Sequence, residues 1–470
     1  MRRRRAGSTA KGSASQPKYN DDVVRTTPRG PIEALSREVF ERGVRYCLPS
    51  AELARSGSVD PPNASLTVTP RDDGSIDLTW LGGAYRLRQP GRPLTEAELK
   101  LLGSIGRVIS SRHRVLVDSV VAAERLDLLR GLPEDRYVSA YLDPAPYTHG
   151  DASAYDRITE AIEVLRISSS STYENSRINT GVLLFGKMPD PCHVEPIVPP
   201  GSLMYSQELT MSRTFYRLSD GMRTVALVDG SGRMVELVDI AEWGVPYADM
   251  PLPAPCAERF EAHCRATLCG GHVCLVLTPN GEIKAFADGM QVFNFLDGRW
   301  RLSDVGEKYA QWEQAISNPA LADRLFRTAL NLAERRRGGL FVVLADPVDA
   351  DHLVAPADRL ANGSGESPEQ GSKTQFHYLL RGKSVLDLTP TVLESVARID
   401  GAIVLDSASN LLGFGAILHD RLAVADRDRL TAEGGRTTAA MVASHYGHVL
   451  KVSEDGLVAF YSGGRLIWDL

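Results

Sequence analysis

Two short stretches of this chain combine residue types that could handle a metal-bound phosphate. The first is Asp400-Gly401-Ala402, continued by Ile403-Val404-Leu405 and Asp406. A carboxylate at the mouth of a buried strand suits a hard divalent cation, which in turn binds phosphate oxygens. Gly401 permits close backbone approach, and Ala402 leaves room for something flat to pack. The second, thirty-four residues further on, is Gly434-Gly435-Arg436-Thr437-Thr438-Ala439-Ala440. Its glycines free backbone N–H groups to point at an anion, and the helix expected over 437–446 offers its positive end. Arg436 adds a charged fork, and Thr437 and Thr438 add hydroxyl donors. Each motif alone is common, since Asp-Gly is a turn dipeptide and Gly-Gly a flexible cap. Their order and spacing carry the reading: an acidic metal ligand opposite an anion-binding helix start serves a metal–nucleotide triphosphate.

The elements that must position these residues are readable from apolar spacing. A helix is expected over 319–336, with Leu321, Leu325, Ala329 and Leu332 on one face and Gly338-Gly339 ending it. Leu340 to Leu344 is an unbroken apolar strand, as inside a mixed sheet. A second helix over 391–398, after Pro390, runs directly into Asp400. Upstream, 33–46 has helical spacing, 64–70 and 75–88 alternate around the turn Asp72-Asp73-Gly74, and Thr95 caps a helix over 95–109. Val115-Leu116-Val117 is expected as a strand.

An internal duplication runs through the rest. Val225-Ala226-Leu227-Val228-Asp229 resembles Ala402-Ile403-Val404-Leu405-Asp406 at an offset of 177, and Gly271-His272-Val273 matches Gly447-His448-Val449 at 176. Both copies continue as hairpins, around Asn280-Gly281 and Asp455-Gly456. Thr180 to Phe185 parallels Gly338 to Val343 at about 158, the extra length of the second copy lying in the Gly/Ser/Glu-rich stretch 361–373. The expected organisation is a basic tail over 1–25, a small α/β unit over 30–148, and two related α/β units over 150–305 and 315–470. The expected fold class is α/β, with mixed central sheets flanked by helices.

The segment 320–470 resembles the diadenylate cyclase (DAC, DisA-type) domain. That family carries Asp-Gly-Ala at a strand start, then Gly-x-Arg-His-Arg-x-Ala at a helix start, then a hairpin. Asp400 to Asp406 matches the first signature, Gly413 to Ala416 the small-residue strand that follows, and Gly434, Arg436 and Ala440 the second. The resemblance implies Mg²⁺ or Mn²⁺ at Asp400, with phosphates held by Arg436 and the neighbouring amides; Gly401, Ala402, Gly434, Gly435, Thr437 and Thr438 complete the implied nucleotide site. The departure is that Thr437 and Thr438 replace the family's His and second Arg. Losing one donor to developing charge costs roughly 10²–10³-fold in rate, so two such losses favour binding over turnover. The first repeat carries Arg223 where the second has Asp400. The chain is similar to eroded DAC-like proteins regarded as nucleotide sensors in prokaryotic signalling and conflict systems. The expected ligand is a nucleotide or cyclic nucleotide, with homo-oligomers through the DAC-like units and an effector protein as further partners. The alternative is an active diadenylate cyclase joining two ATP into cyclic di-AMP, with Asp400 catalytic.

Composition sets bounds. The chain has 470 residues, 43% hydrophobic and 24% charged, with a net charge of −6. This argues against a nucleic-acid binder that works by bulk charge. No apolar run reaches the ~18 residues of a membrane span, and no apolar stretch follows the basic Met1 to Arg5, so a cytoplasmic protein with reduced cysteines is expected. Cys256, Cys264, Cys269 and Cys274 contain no Cys-x-x-Cys pair, so a zinc site is not expected. His445 and His448 read as helix-end residues. Arg112-His113-Arg114 reads as a surface turn, Asp220-Gly221 as a turn and Ser168 to Thr172 as a polar loop. No Gly-x-Ser-x-Gly elbow supports a serine hydrolase.

Overall fold

The computed structural model describes residues 29–59, 65–148, 155–173, 176–360, 376–419 and 434–470. The basic tail and the inserted stretch 361–373 lie outside them. The fold is mixed α/β, with sheets flanked by helices.

The N-terminal unit comprises α1 (Arg29–Cys47), β1 (Glu52–Ser58), β2 (Thr67–Pro70), β3 (Ile76–Trp80), β4 (Gly83–Arg88), α2 (Glu96–Val117) and α3 (Pro133–Leu142). Its sheet is antiparallel, in the order β1-β4-β3-β2. The stretch expected as one strand over 75–88 is two, because Leu81 and Gly82 turn with positive φ. The strand expected at Val115-Leu116-Val117 is instead the last turn of α2. Leu101, Ile105, Val108 and Val115 continue one buried helical face, and helical spacing overrides a short β-branched run. Arg112-His113-Arg114 therefore lies inside a helix and is no surface turn. His113 is buried against Ser36 Oγ at 3.0 Å, and Arg112 donates to the carbonyls of Leu128, Arg130 and Gly131.

The next unit runs α4 (Arg157–Ser169), β5 (Thr180–Leu184), β6 (Thr224–Val228), β7 (Met234–Asp239), α5 (Glu261–Ala266), β8 (Val273–Leu277), β9 (Ile283–Ala287), β10 (Met290–Leu296) and β11 (Arg299–Leu302). Ser168 and Ser169 belong to α4 rather than to a loop; Ser168 is buried and its hydroxyl donates to the Val164 carbonyl. After α6 (Val305–Ile316), the last unit runs α7 (Pro319–Glu334), β12 (Gly339–Leu344), α8 (Pro390–Ala397), β13 (Ala402–Asp406), β14 (Leu411–Ala416), α9 (Gly435–Ala443), β15 (Gly447–Val452), β16 (Val458–Ser462) and β17 (Arg465–Asp469). Gly338-Gly339 does not end α7. The chain turns at Arg336, which takes φ 53°, and Gly339 already belongs to β12.

The sheet orders are β7-β6-β5-β8-β9-β10-β11 and β14-β13-β12-β15-β16-β17. They are the same order, apart from one added strand. In each, the central pair is parallel (β5 with β6, β12 with β13) and the other pairs are antiparallel. Asp229 and Asp406 open equivalent loops. Each donates its N–H four residues on, to the Arg233 and Asn410 carbonyls, and each carboxylate takes the N–H of that residue in return. The offset of 177 thus holds in space.

The offset of 176 does not. Leu184 pairs with Val228 and Val273, whereas Val343 pairs with Leu405 and His448. His448 therefore stands where Val273 does, one residue from His272. A one-residue slip sends a side chain to the opposite sheet face: His272 lies against Phe185 and Asp190, His448 against Phe460 and Ser462.

One apolar core joins the N-terminal unit to the first large sheet, running from Phe40, Trp80 and Ile105 to Leu184, Leu275 and Phe293. The two large units meet through a buried ionic cluster. Lys284 Nζ reaches Glu334 at 2.6 Å and Glu282 at 3.3 Å, and Arg336 pairs with Glu282. No helix among the described residues is long and apolar enough to cross a membrane. Removing one partner of a buried ion pair costs about 3–5 kcal/mol because charges are left uncompensated. Lys284→Ala is therefore expected to lower the unfolding free energy by an amount of that order, measured as a urea-midpoint shift.

Candidate functional site

Asp400 lies between α8 and β13, on an exposed bend. Among the described residues its carboxylate has no hydrogen-bond or ion-pair partner. Gly401 has φ 112°, and a Cβ there would run into the Gly415 carbonyl and come within 2.8 Å of the Ala416 nitrogen. Ala402 opposite Ala416 starts the antiparallel pairing of β13 with β14. The close approach expected at Gly401 is thus made by the protein's own backbone, and Ala402 is buried in the core between the sheet and α9.

The helix expected from 437 begins earlier, with Gly434 as its cap residue and Gly435, Arg436, Thr437 and Thr438 forming its first turn. The cap has no side-chain hydrogen bond, and a Cβ at Gly434 or Gly435 would meet open space. The Thr437 and Thr438 N–H groups turn back to the Gly434 carbonyl at 2.8 and 3.2 Å. Those of Gly435 and Arg436 have no acceptor among the described residues, as is usual at a helix start. Thr437 does not aim its hydroxyl outward as a spare donor: its Oγ1 accepts a 2.8 Å hydrogen bond from Lys451 Nζ.

Arg436 reaches back to the start of β12. Its guanidinium lies where a Cβ on Gly338 would be, and it pairs with the exposed Glu454 at 3.1 Å. Phe341 stands opposite Ile403 in the parallel pair, so the residues just before β12 and β13, Gly338 and Asp400, come to the same end of the sheet. Lys451 and Glu454 reach that end too, because Val452 pairs with Gly339. The two motifs are therefore brought to one end of the sheet, Asp400 before β13 and Arg436, from the start of α9, against Gly338 before β12. This is the amino end of the parallel pair. Ligands of open parallel α/β sheets collect at the carboxyl end, so the attraction for an anion here comes from the start of α9 and from Arg436. Gly338 is read from sequence only as a helix end, and Lys451 and Glu454 are not singled out there. The register of β15 against β12 identifies them, and local motif spacing cannot.

The first large sheet closes the corresponding end with its own turn. Asp220 Oδ1 accepts the N–H groups of Met222, Arg223 and Thr224 at 2.7–2.9 Å, which holds this carboxylate below its usual range. Arg223, at the position equivalent to Asp400, pairs with Asp239 at 3.1 Å.

Other candidates have ordinary surroundings. Cys256, Cys264 and Cys274 are buried free thiols, and no group of three or more His, Cys, Asp or Glu that could hold a metal occurs among the described residues. His272 accepts the Gly186 N–H on Nδ1, so Nε2 carries the proton and donates to Asp190 at 2.9 Å. Burial holds His272 below the usual histidine range, as a neutral structural residue.

No protein-family model matches the chain, and a search of curated proteins finds no match. Among solved structures it matches a hypothetical membrane spanning protein from Bacillus cereus, described under structural genomics, at 20% identity. The match covers 34% of this chain and 69% of that one, with a TM-score of 0.22, and a likeness of that size bears on neither fold nor function.

Gly401 and Asp400 separate structure from chemistry. A non-glycine residue at Gly401 costs on the order of 1–3 kcal/mol for its backbone alone, before any overlap with Gly415. Gly401→Ala should lower the melting temperature by several degrees. Asp400→Asn, at an exposed position without partners, should leave it unchanged within ~0.5 kcal/mol.

Proposed function

We propose that the last unit is a nucleotide- or cyclic-nucleotide-binding module, a sensor whose ligand sits between Asp400 and the first turn of α9. One observation carries this reading: an unpartnered carboxylate, an uncapped glycine helix start and Arg436 converge on one end of one sheet. In this reading the phosphates take the Gly435 and Arg436 N–H groups and the Arg436 guanidinium, and Mg²⁺ or Mn²⁺ arrives with them to meet Asp400. The metal's part is to neutralise phosphate charge. Ala402 is too buried to receive a flat base, so the base would lie outside the sheet edge. The Asp-Gly-Ala and Gly-x-Arg signatures of diadenylate cyclases support the ligand class.

Slow or absent cyclisation is part of the same proposal. Thr437 is tied to Lys451, and neither Thr437 nor Thr438 supplies the fixed positive charge of the family's His and Arg. The proposed partners are the nucleotide, a second copy of the chain and an effector protein, inside a cytoplasm.

Isothermal titration of the full chain with ATP and cyclic di-AMP, with and without Mn²⁺, beside an assay for cyclic dinucleotide formation from ATP, tests this. Saturable binding without appreciable product is expected. Charged hydrogen bonds contribute about 1.5–3 kcal/mol, so Arg436→Ala should weaken binding by about ten- to a hundredfold. Asp400→Asn should remove the Mn²⁺-dependent part. Rapid product formation abolished by Asp400→Asn would replace the sensor by an active cyclase, and no binding in any arm would remove both.

A further inference from the structure

A cavity of about 670 Å³ lies at the carboxyl end of β5, bordered also by the starts of α2 and α6. Its volume falls within the ~300–1,000 Å³ of small-molecule sites. The carboxyl end of parallel strands is where open α/β sheets hold their ligands. The start of α4 and the segment after β5 line it with Arg157, Lys187 and Met188, and the end of α3 with Tyr141 and Leu142.

Arg157 is only 6% exposed, and its guanidinium is always charged. Its Nη1 donates to the carbonyls of Phe185 and, at 3.0 Å, Asp229, the first residues past β5 and β6. No acceptor among the described residues takes Nη2, and that nitrogen, unlike Nε, is not enclosed. The accessible edge of this guanidinium therefore includes an unused donor. No carboxylate among the described residues comes within ion-pair distance of Arg157. Burial holds it below the ordinary arginine range, and Asp143, Asp229 and Glu195 pull the other way from farther off. Two of these are engaged elsewhere. Asp229 takes the N–H groups of Ser231 and Arg233, and Asp143 takes the Ala145 N–H at 3.0 Å and faces Lys187 Nζ at 4.0 Å. The start of α4 is not itself open to an anion, because its cap Asp156 accepts the Thr159 N–H and pairs with Arg136. Nor does tying a helix start to the strand ends require a charge. In the last unit Asn318, just before α7, makes such a tie with a neutral amide, donating at 3.1 Å to the Ser407 carbonyl just past β13. A buried cation is costly unless an anion compensates it, and Arg157 has none of its own.

We infer that this cavity is a binding site for a small organic acid with one negative charge and an apolar body. The acid group takes Arg157 Nη2 and the Lys187 ammonium, which is 54% exposed and held only loosely by Asp143. The body lies along Tyr141, Leu142 and Met188. Further charge on the ligand is disfavoured, because Glu96, Asp304 and Glu307 also line the cavity, and Lys100 is already placed over the Tyr141 ring at 4.2 Å. A nucleoside triphosphate is therefore a poor occupant. The site belongs to the other large unit from Asp400 and does not rest on the nucleotide reading.

The test titrates the full chain calorimetrically with octanoate, 1-octanol and inorganic phosphate. Octanoate is expected to bind saturably, about tenfold or more tightly than either of the others. Arg157→Gln, which keeps a donor for the two carbonyls, should weaken octanoate by about tenfold or more. Lys187→Met and Met188→Glu, both at exposed positions, should each weaken it about three- to fivefold. Circular dichroism checks that the variants fold; should Arg157→Gln fail to, the two exposed variants decide. Asp400→Asn should leave octanoate binding unchanged. Absence of saturable octanoate binding overturns the inference, as does its loss in Asp400→Asn. Octanol binding as tightly overturns it because the charge then contributes nothing, and phosphate binding as tightly because the apolar body does not. Octanoate binding that neither Lys187→Met nor Met188→Glu weakens places the ligand elsewhere and overturns it too.

Discussion

The second large sheet depends on the parallel pairing of β12 with β13. Parallel neighbours cannot be joined by a tight turn; the chain must cross over the sheet and begin again at the same end. Here α8 completes that crossover, and it delivers Asp400 beside Gly338, where Arg436 rests. The geometry tolerates little change at Gly401. A side chain there would push the start of β13 out of contact with Gly415 and Ala416, and the first pairing of β13 with β14 would be lost with it. The glycine of the Asp-Gly-Ala triplet is therefore explained by the fold, whereas nothing among the described residues requires the carboxylate before it. That contrast is the physical reason to look for chemistry at Asp400.

The first large sheet repeats the strand order and the parallel central pair, and it does not repeat the opening. Its carboxylate at this end, Asp220, spends its acceptor capacity on three backbone N–H groups, and Arg223 is neutralised by Asp239. A carboxylate saturated by backbone donors stabilises a turn and has little left for a cation. One scaffold thus carries a closed end and an open end. The closed unit shares its core with the N-terminal unit, so its strands serve as a base on which the others are mounted. The satisfied Lys284 cluster lies at that mounting.

Much of the fold is legible in the residues because its strands are short apolar runs bounded by turns. Leu340 to Leu344, Val225 to Val228 and the hairpins at Asn280-Gly281 and Asp455-Gly456 are of this kind, and Gly281 and Gly456 take the positive φ those turns need. Errors arise where local pattern and tertiary context disagree. Val115-Leu116-Val117 is β-branched and apolar, but it continues a helical face already committed to the core. Arg336 turns the chain after α7 although two glycines follow it, because the backbone of Gly338 is needed under Arg436 and that of Gly339 against Leu332. The match of His272 with His448 is one of letters alone, since a strand with period two places the two rings on opposite faces. At the candidate site, the motif residues could be named from types and spacing. Lys451 and Glu454 could not, because they enter through the pairing of β15 with β12, more than a hundred residues apart in sequence.

The arrangement around Arg436 bears on how an anion could enter. Arg436 already has a partner in Glu454, which is 71% exposed. Exposed ion pairs contribute about 0–1 kcal/mol, and charge-assisted bonds to a phosphate about 1.5–3 kcal/mol each. A phosphate bound at the start of α9 would therefore displace Glu454 at little cost, and the repulsion between the two anions would push the glutamate back toward solvent. Lys451 donates to the Thr437 hydroxyl, so its ammonium also stands at that first turn. The positive field at the first turn is thus supplied by the Arg436 guanidinium, the Lys451 ammonium and two N–H groups. Such a set can hold a phosphate that is already charged. It provides little that strengthens as charge develops in a reaction, and this is why the same residues argue for binding and against fast turnover.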